Sequence, residues 1–286
     1  MRKVAVVTDS TCCLPAELIQ KYDIHVVPIY VIYQGKSYRD RIDISPNEIY
    51  KIMRARKDLP TTSVPSPEDF LDAYQVVSQK VKNILCITVT SLQSGTFNMA
   101  FTAKEMAKET VSDAAIEVLD SRAVAGSLGF VVLEAARLAS QDAGVAQARE
   151  AARNIMNKVS FLGVLDTLYY LARTGRIARA AAWAGSVLNI KPIVGHFPSV
   201  GETTPVARPR SKSKAIERIL EIMAERIGDS TAHVMVQHAD ELEEAEKLKA
   251  TIGSRFNCSE LLLTEFSPAM GINCGLGLLA VSFYTD

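Results

Sequence analysis

Neither sign of charge is in excess in this chain, and it has no long apolar run. Its 286 residues include 32 Lys and Arg against 32 Asp and Glu, so the formal net charge at pH 7 is zero. This balance gives no electrostatic reason to expect nucleic acid or an anionic membrane surface as a partner. The first apolar run, residues 4–7, is too short for a signal-peptide core, and no run approaches the roughly 20 apolar residues of a membrane-spanning helix. We therefore expect a cytoplasmic protein without stable membrane insertion.

Cysteine is scarce, and its spacing is typical of neither a disulfide framework nor a zinc site. The five cysteines are Cys12, Cys13, Cys86, Cys258 and Cys274, an odd number with an adjacent pair and no C-x-x-C motif. This set disfavours both a disulfide framework and a zinc site. Because His, Asp and Glu do not cluster at ligand spacing either, we predict no metal and no cofactor.

Motifs for nucleotides and for acyl transfer are also missing. No G-x-x-x-x-G-K-[ST] phosphate loop occurs, so the chain is not expected to bind ATP itself. Gly275-Leu276-Gly277 begins a match to the dinucleotide fingerprint, but only six residues follow Ala280, too few for the helix and strand that must come next. Without G-x-S-x-G, and with only four histidines, a catalytic triad has little support.

The first half of the chain alternates between short apolar runs and amphipathic segments. We predict strands at residues 4–7, 25–33, 83–90 and 116–119. We predict helices at residues 14–22 and 96–110, and after the caps Ser45-Pro46-Asn47-Glu48 and Ser66-Pro67-Glu68-Asp69. This alternation predicts β-α-β units with right-handed crossovers, and hence a doubly wound, mostly parallel sheet.

The pattern changes after about residue 143. We predict helices at residues 145–158, 167–173 and 241–256, strands at 234–236, 260–266 and 278–283, and a hairpin of 190–197 with 203–207. The chain is thus expected to be a two-domain α/β protein, with residues 1–160 forming the first domain. Residues 161–286 would form a second α/β domain with a mixed sheet.

The first half of the chain has four hydroxyl-bearing turns, three of which directly follow a predicted strand. They are Thr8-Asp9-Ser10, Thr62-Ser63, Ser94-Gly95-Thr96 and Asp120-Ser121. In α/β proteins the crevice outside the carboxyl ends of parallel strands binds ligands, and helix starts there favour an anion. Ser94 either caps the next helix or points into this crevice, where Gly95 would let a ligand approach the backbone. The turns predict a site for a small acidic group, although no base is apparent beside the hydroxyls.

A run of small and apolar residues at 178–188 predicts a helix buried against something large. Such a helix serves either as core packing or as the wall of an apolar ligand channel. An anion site at one end of such a channel would suit an amphiphile such as a fatty acid.

The order and spacing of these motifs resemble the DegV family, which are bacterial fatty-acid-binding proteins. The resemblance covers essentially the whole chain and also rests on Leu14-Pro15, Gly175-Arg176-Ile177, Lys191-Pro192 and the glycine-rich end. It implies a protein that is not an enzyme and holds one long-chain fatty acid in a tunnel closed by the second domain. It further implies that the protein presents this acid to a separate ATP-dependent fatty-acid kinase for phospholipid synthesis. The ligand-binding residues implied by motif are Thr62, Ser63, Ser94, Gly95, Thr96, Asn273 and Gly275.

One position departs from the family pattern. The final motif usually has a histidine followed by x-Gly-Pro-Gly, where this chain has Asn273-Cys274-Gly275-Leu276-Gly277. Asn273 can donate a hydrogen bond from its amide, but it cannot become a cation. Two alternatives to the fatty-acid carrier therefore stay open. One is a carrier for a different amphiphile, and the other is an esterase or acyltransferase with Ser94 as nucleophile.

Arg176 and the basic residues 208–212 are either a kinase-docking surface or a solvated face.

Overall fold

The structure is a computed structural model that describes residues 3–55, 58–177, 190–197 and 199–286. Its strands are β1 (Val4–Asp9), β2 (Ile24–Val27), β3 (Tyr30–Tyr33), β4 (Lys36–Arg39), β5 (Thr61–Ser63), β6 (Asn83–Thr88), β7 (Ala115–Asp120), β8 (Ser160–Val164), β9 (Ile193–His196), β10 (Thr203–Ala207), β11 (Ala232–His238), β12 (Cys258–Glu265) and β13 (Leu279–Thr285). Its helices are α1 (Ala16–Lys21), α2 (Pro46–Ala55), α3 (Pro67–Ser78), α4 (Thr96–Thr110), α5 (Ala125–Ser140), α6 (Val145–Lys158), α7 (Tyr169–Arg173), α8 (Lys212–Ile227), α9 (Leu242–Arg255) and α10 (Pro268–Cys274).

The first half forms a parallel sheet in the order β2-β1-β6-β7. Side chains along β1 alternate between its two faces, with Val4 and Val6 in the core beside α5, and Ala5 and Val7 in the core beside α3 and α4. Because both faces are covered, the strand is apolar from Val4 to Val7. The predicted doubly wound parallel sheet is confirmed.

The second half forms a six-stranded sheet in the order β10-β9-β8-β13-β11-β12. β11 pairs with β12 in parallel, and the other neighbours pair antiparallel, so the predicted mixed sheet is confirmed. Helices α8 and α9 cover its outer face. Among the described residues, no helix is both long and apolar enough to cross a bilayer.

A third, small sheet was not predicted, and it corrects the single strand expected at residues 25–33. Those residues form β2 in the parallel sheet and β3 in an antiparallel sheet of order β4-β3-β5. The break falls at Pro28, which has no backbone N–H to donate. The next N–H, of Ile29, donates instead to Ser10 Oγ at 3.0 Å. This redirection brings β5, with Thr62 opposite Val31, to the edge of the fold's central crevice.

Helix α5 lies between the two large sheets, and the sequence analysis missed it. It packs against β1 and β6 on one side, β8 and β13 on the other, and α6 alongside. Most of its residues are buried around the whole circumference, so the amphipathic period that marks a surface helix is absent. A methyl group on Gly129 would lie 2.6 Å from Cys12 O, so glycine permits this close approach. Helices α8 and α10 were also not predicted.

The domain boundary near residue 160 stays a prediction. Every strand of the parallel sheet precedes Ser121, and every strand of the six-stranded sheet begins at Ser160 or later. The apolar core around α5 nevertheless continues without interruption from one sheet to the other. The two halves therefore share a core through this helix.

Candidate ligand-binding site

A cavity of about 320 Å³ opens where the three sheets meet. Its size is at the lower end of the roughly 300–1,000 Å³ typical of small-molecule sites. The apolar lining residues are Ile29, Val64, Val89, Val124, Phe161, Leu171, Val194, Ala269, Met270 and Leu278. The polar lining residues are Thr11, Thr62, Ser63, Gln93, Ser94, Arg176, Thr203, Asn273 and Cys274. Residues that follow β1, β6 and β7 belong to this lining, as expected for a crevice at the carboxyl ends of parallel strands.

Four of the seven predicted site residues lie together in this lining: Thr62, Ser63, Ser94 and Asn273. They come from three separate segments, namely β5, the loop before α4, and α10. Helix α10 packs against β5, and this contact brings Asn273 to the same side of the cavity as Thr62. These distant segments meet only through tertiary packing.

Ser94 contacts both the start of the next helix and the cavity. Its Oγ accepts a hydrogen bond from the backbone N–H of Thr96 at 3.3 Å, at the start of α4, and also lines the cavity. Thr96 is buried, and its Oγ1 lies 2.8 Å from Ser94 Oγ. Gly95 stands at the N-cap of α4. Neither Gly95 nor Thr96 is among the described lining residues, and Thr96 contacts Ser94 through these two hydrogen bonds.

Asn273 lies in the last turn of α10, one residue before Cys274. Its Nδ2 donates to Ala269 O at 2.9 Å, one turn earlier in the same helix. Its Oδ1 is buried and has no hydrogen-bond partner among the described residues. Gly275 follows at φ +84°, and a side chain there would overlap the ring of Tyr170. Gly275 thus lets α10 and α7 pack closely, and it is not among the described residues that line the cavity.

Asp9 holds two parts of the cavity wall in place. Its carboxylate accepts hydrogen bonds from Thr11 N at 3.0 Å, Thr11 Oγ1 at 2.5 Å and Val89 N at 2.8 Å. Thr11 and Val89 both line the cavity. Burial raises the pKa of Asp9, and the hydrogen bonds from Thr11 and Val89 oppose that rise. Asp9 therefore holds Thr11 and Val89 in the cavity wall, as a capping residue does, and is not itself among the described lining residues.

Ser10 and Asp40 form a second buried link between cavity walls. Ser10 Oγ donates to Asp40 Oδ2 at 2.6 Å, and Asp40 Oδ1 accepts from Ala269 N at 3.0 Å, at the start of α10. Burial raises the pKa of Asp40, while the hydrogen bonds from Ser10, Ala269 and Ser267 lower it. Since Ile29 N donates to Ser10, this link connects the Ile29 wall to the helix that carries Asn273.

Sequence reasoning missed Gln93 and Thr203, and it placed Arg176 either on a docking surface or on a solvated face. Arg176 lines the cavity and is the one charged side chain among the described lining residues. Gln93 Nε2 donates to Arg176 O at 2.7 Å, and Gln93 Oε1 accepts from Thr203 Oγ1 at 3.1 Å. No local motif marks Gln93 or Thr203, because the two meet only when the hairpin β9–β10 closes on the loop after β6.

The described hydrogen bonds of Ser94 run to Thr96, and three of the four histidines have hydrogen-bond partners elsewhere. His196 Nε2 donates to Arg122 O at 2.9 Å, His233 lies between Glu260 and Asp286, and His238 Nδ1 accepts from Glu241 N.

The expected apolar helix at residues 178–188 lies outside the described residues.

Comparison with known proteins places this chain in a family. A family model described as "Uncharacterised protein, DegV family" matches residues 3–286. A DegV domain-containing protein of Clostridium acetobutylicum is 33% identical over 288 residues, covering 99% of this chain and 98% of the relative.

Solved structures agree with the sequence matches. A DegV family protein of Thermus thermophilus, described for its fatty acid binding, has a TM-score of 0.91 at 27% identity and covers 99% of this chain and 100% of its own. DegV of Bacillus subtilis, described as a fatty acid binding protein, has a TM-score of 0.87 at 27% identity with full coverage of both chains. The matches in sequence and in fold thus agree, and the chain belongs to the DegV family.

Proposed function

We propose that this protein binds a long-chain fatty acid in the cavity, with the carboxyl group at the side chains of Thr62, Ser63, Ser94 and Asn273. The observation that carries the proposal is a mostly apolar cavity on which hydroxyls from separate segments converge. An apolar wall with a few placed polar groups is the usual form of a small-molecule site. The fatty acid binding described for the Thermus thermophilus and Bacillus subtilis relatives supports the same ligand class.

The two parts of such a ligand would contribute differently. Each buried CH₂ of the acyl chain contributes about 0.8 kcal/mol, so the chain supplies most of the affinity. A hydrogen bond to the head group contributes about 0.5–1.5 kcal/mol, or about 1.5–3 kcal/mol if the group is charged. The hydroxyls therefore fix which end of the ligand lies at Ser94, and Gly95 and Thr96 support that position.

We also propose that the protein acts as a carrier and not as an enzyme, and that it presents its ligand to an ATP-dependent fatty-acid kinase in the cytoplasm. The hydrogen bonding of Ser94 supports a carrier, because its described partner is Thr96 and not a base that would activate it. The basic residues 208–212 are our candidate kinase-docking surface. Their last member, Lys212, begins α8 and pairs with Glu241 at 3.2 Å.

The test is native mass spectrometry of the purified protein, followed by extraction and identification of any bound lipid. We expect one long-chain fatty acid per chain. Thr62→Val and Ser94→Ala should each weaken fatty-acid binding about tenfold, which corresponds to about 1.4 kcal/mol. Thr61→Val is the matched control, because Thr61 is an exposed neighbour on the same strand outside the described cavity lining.

Two results would overturn this function. An empty protein that also refuses added fatty acid would exclude the carrier. Covalent labelling of Ser94 by a fluorophosphonate, together with turnover of a chromogenic ester, would favour the esterase instead.

Loss of kinase co-purification in Arg208→Glu, with fatty-acid affinity intact, would support docking, whereas unchanged co-purification would remove that surface from the proposal.

A further inference from the structure

The side chain of Gln93 joins three segments at the cavity. Its Nε2 donates to Arg176 O at 2.7 Å, and its Oε1 accepts from Thr203 Oγ1 at 3.1 Å. Because a carbonyl oxygen can only accept, the amide nitrogen faces Arg176, and the hydroxyl of Thr203 then donates to Oε1. Gln93 therefore holds the segment after α7 against the loop after β6, and β10 fixes the orientation of its amide.

The segment that carries Arg176 is otherwise hydrogen-bonded within itself. Apart from the bond to Gln93, the described hydrogen bonds of residues 174–176 run to residues 170–174 of the same segment. Gly175 has φ +70°, and the space where its side chain would be is open, so no side chain there packs against a neighbour. The Gln93 amide is thus the described hydrogen bond that sets where Arg176 lies relative to the cavity.

Gln93 also sets which end of the cavity receives Arg176. Ser94 is the next residue, and its hydroxyl is one of those that we propose at the carboxyl group of the ligand. Consecutive Cα atoms are about 3.8 Å apart, so a residue bonded to Gln93 lies at the same end of the cavity as Ser94. Arg176 is the one charged side chain among the described lining residues. An ionised carboxylate at this end would accept a charge-assisted hydrogen bond, roughly twice as strong as a neutral one.

We propose, resting on the fatty-acid function above, that Gln93 is a positioning residue for the ligand head group, which acts by holding Arg176 beside Ser94. A guanidinium has five N–H donors, and the described side-chain hydrogen bond of Arg176, to Thr174 O, leaves most of them for a carboxylate. The wild type should therefore bind an ionised acid more tightly than an alcohol of the same length. Without the Gln93 amide the segment is free to shift, so this preference should fall.

The experiment measures binding of dodecanoic acid and dodecanol by calorimetric titration at pH 8, where the acid is ionised in solution, at concentrations where both are monomeric. In Gln93→Met the preference for the acid over the alcohol should fall about tenfold, because Met fills a similar space without an amide. Arg176→Gln should lose the same preference. The double variant should lose no more than Arg176→Gln alone, since Gln93 acts through Arg176.

Thr90→Val is the matched control. Thr90 lies in the same loop as Gln93, and its Oγ1 donates to Gly201 O at 2.9 Å, in the turn between β9 and β10. The variant therefore removes a hydrogen bond between the same loop and the same hairpin, but leaves the bond to Arg176 in place. Its unfolding free energy should fall as in Gln93→Met, while its preference for the acid stays that of the wild type.

Several outcomes would overturn the positioning role while the fatty-acid function stands. These are a wild type without preference for the acid, an unchanged preference in Gln93→Met or Arg176→Gln, and a double variant whose loss is the sum of the two single losses. An equal loss of preference in Thr90→Val would also overturn it, because the effect would then come from the loop as a whole. If the wild type binds neither acid nor alcohol, the proposed function itself fails.

Discussion

His196 should make the stability of this protein fall as the pH falls below 6.5. The ring is fully buried in β9, and desolvation lowers its pKa to about 4, although the hydrogen bond to Arg122 O opposes this. Nε2 donates to Arg122 O at 2.9 Å, so in the neutral ring Nδ1 is an acceptor, 3.3 Å from Thr203 Oγ1. At a pH between the two pKa values of His196, the unfolded chain therefore binds a proton on this ring that the folded chain does not bind.

The size of the effect follows from the two pKa values. A folded pKa below the unfolded one means that the stabilisation is complete above pH 6.5 and is lost between pH 6.5 and about 4. This interval of about 2.5 pH units corresponds to about 3 kcal/mol, at about 1.36 kcal/mol per unit. By pH 5, about 2 kcal/mol of unfolding free energy should be gone. Asp9 and Asp40, with raised pKa values, act in the opposite direction, so the effect must be measured as a difference between variants.

The assay is urea unfolding at pH 7, 6 and 5 for the wild type, His196→Gln and Thr203→Val. Gln keeps an N–H for Arg122 O but does not titrate, so the stability advantage of the wild type over this variant should shrink by about 2 kcal/mol from pH 7 to pH 5. Thr203→Val removes a hydroxyl without removing a proton site, and its stability should run parallel to the wild type. If the wild type and His196→Gln lose stability in parallel, or if the ring titrates near 6.5 by NMR, this reasoning is refuted.

Two further predictions concern the packing of α10. Asp40→Asn should lower the unfolding free energy by about 2–3 kcal/mol and weaken fatty-acid binding, because it disrupts the acceptors of Ser10 Oγ and Ala269 N. The exposed Asp43→Asn should cost less than about 1 kcal/mol, and equal shifts in urea midpoint would contradict the role of Asp40. Gly275→Ala should cost more than the about 1–3 kcal/mol of backbone strain alone, because the methyl also overlaps Tyr170. Gly35→Ala, with φ +73° and open space, should show only the strain in the same unfolding assay, and a larger loss there than at Gly275 would argue against the close packing.

The sequence predicted helix caps and helix bounds correctly where these depend on neighbouring residues. Ser66 caps α3 with the reciprocal Asp69 bond that its spacing predicted, and α4 spans the predicted residues 96–110. Local signals failed where tertiary contacts replace them. Helix α5 has no amphipathic period because both sheets bury it, and the predicted strand at 25–33 divides because Ile29 N pairs with Ser10.

Some residues of the candidate site could likewise be predicted from local sequence, and others could not. The turn after the predicted strand at residues 83–90 pointed to Ser94, because the position of a turn relative to a strand end can be seen in the sequence. Thr62 and Ser63 were implied by their motif. Nothing local pointed to Gln93 or Thr203, which meet across 110 residues of chain. Arg176 was noticed as a basic residue, but its place in the cavity lining was not foreseen.

The sequence by itself determined the alternation of strands and helices, the caps that start α2 and α3, and the hydroxyl residues available at strand ends, because each depends on short-range periodicity and hydrogen bonding. Only the tertiary structure decided which of these residues share a cavity and which of their polar atoms are already paired within the fold. Asn273 is the clearest case, since its residue type allows either a donor or an acceptor. Packing of α10 uses its Nδ2 for Ala269 and leaves Oδ1 over, because a hydrogen-bond group already paired within the fold is no longer free for a ligand.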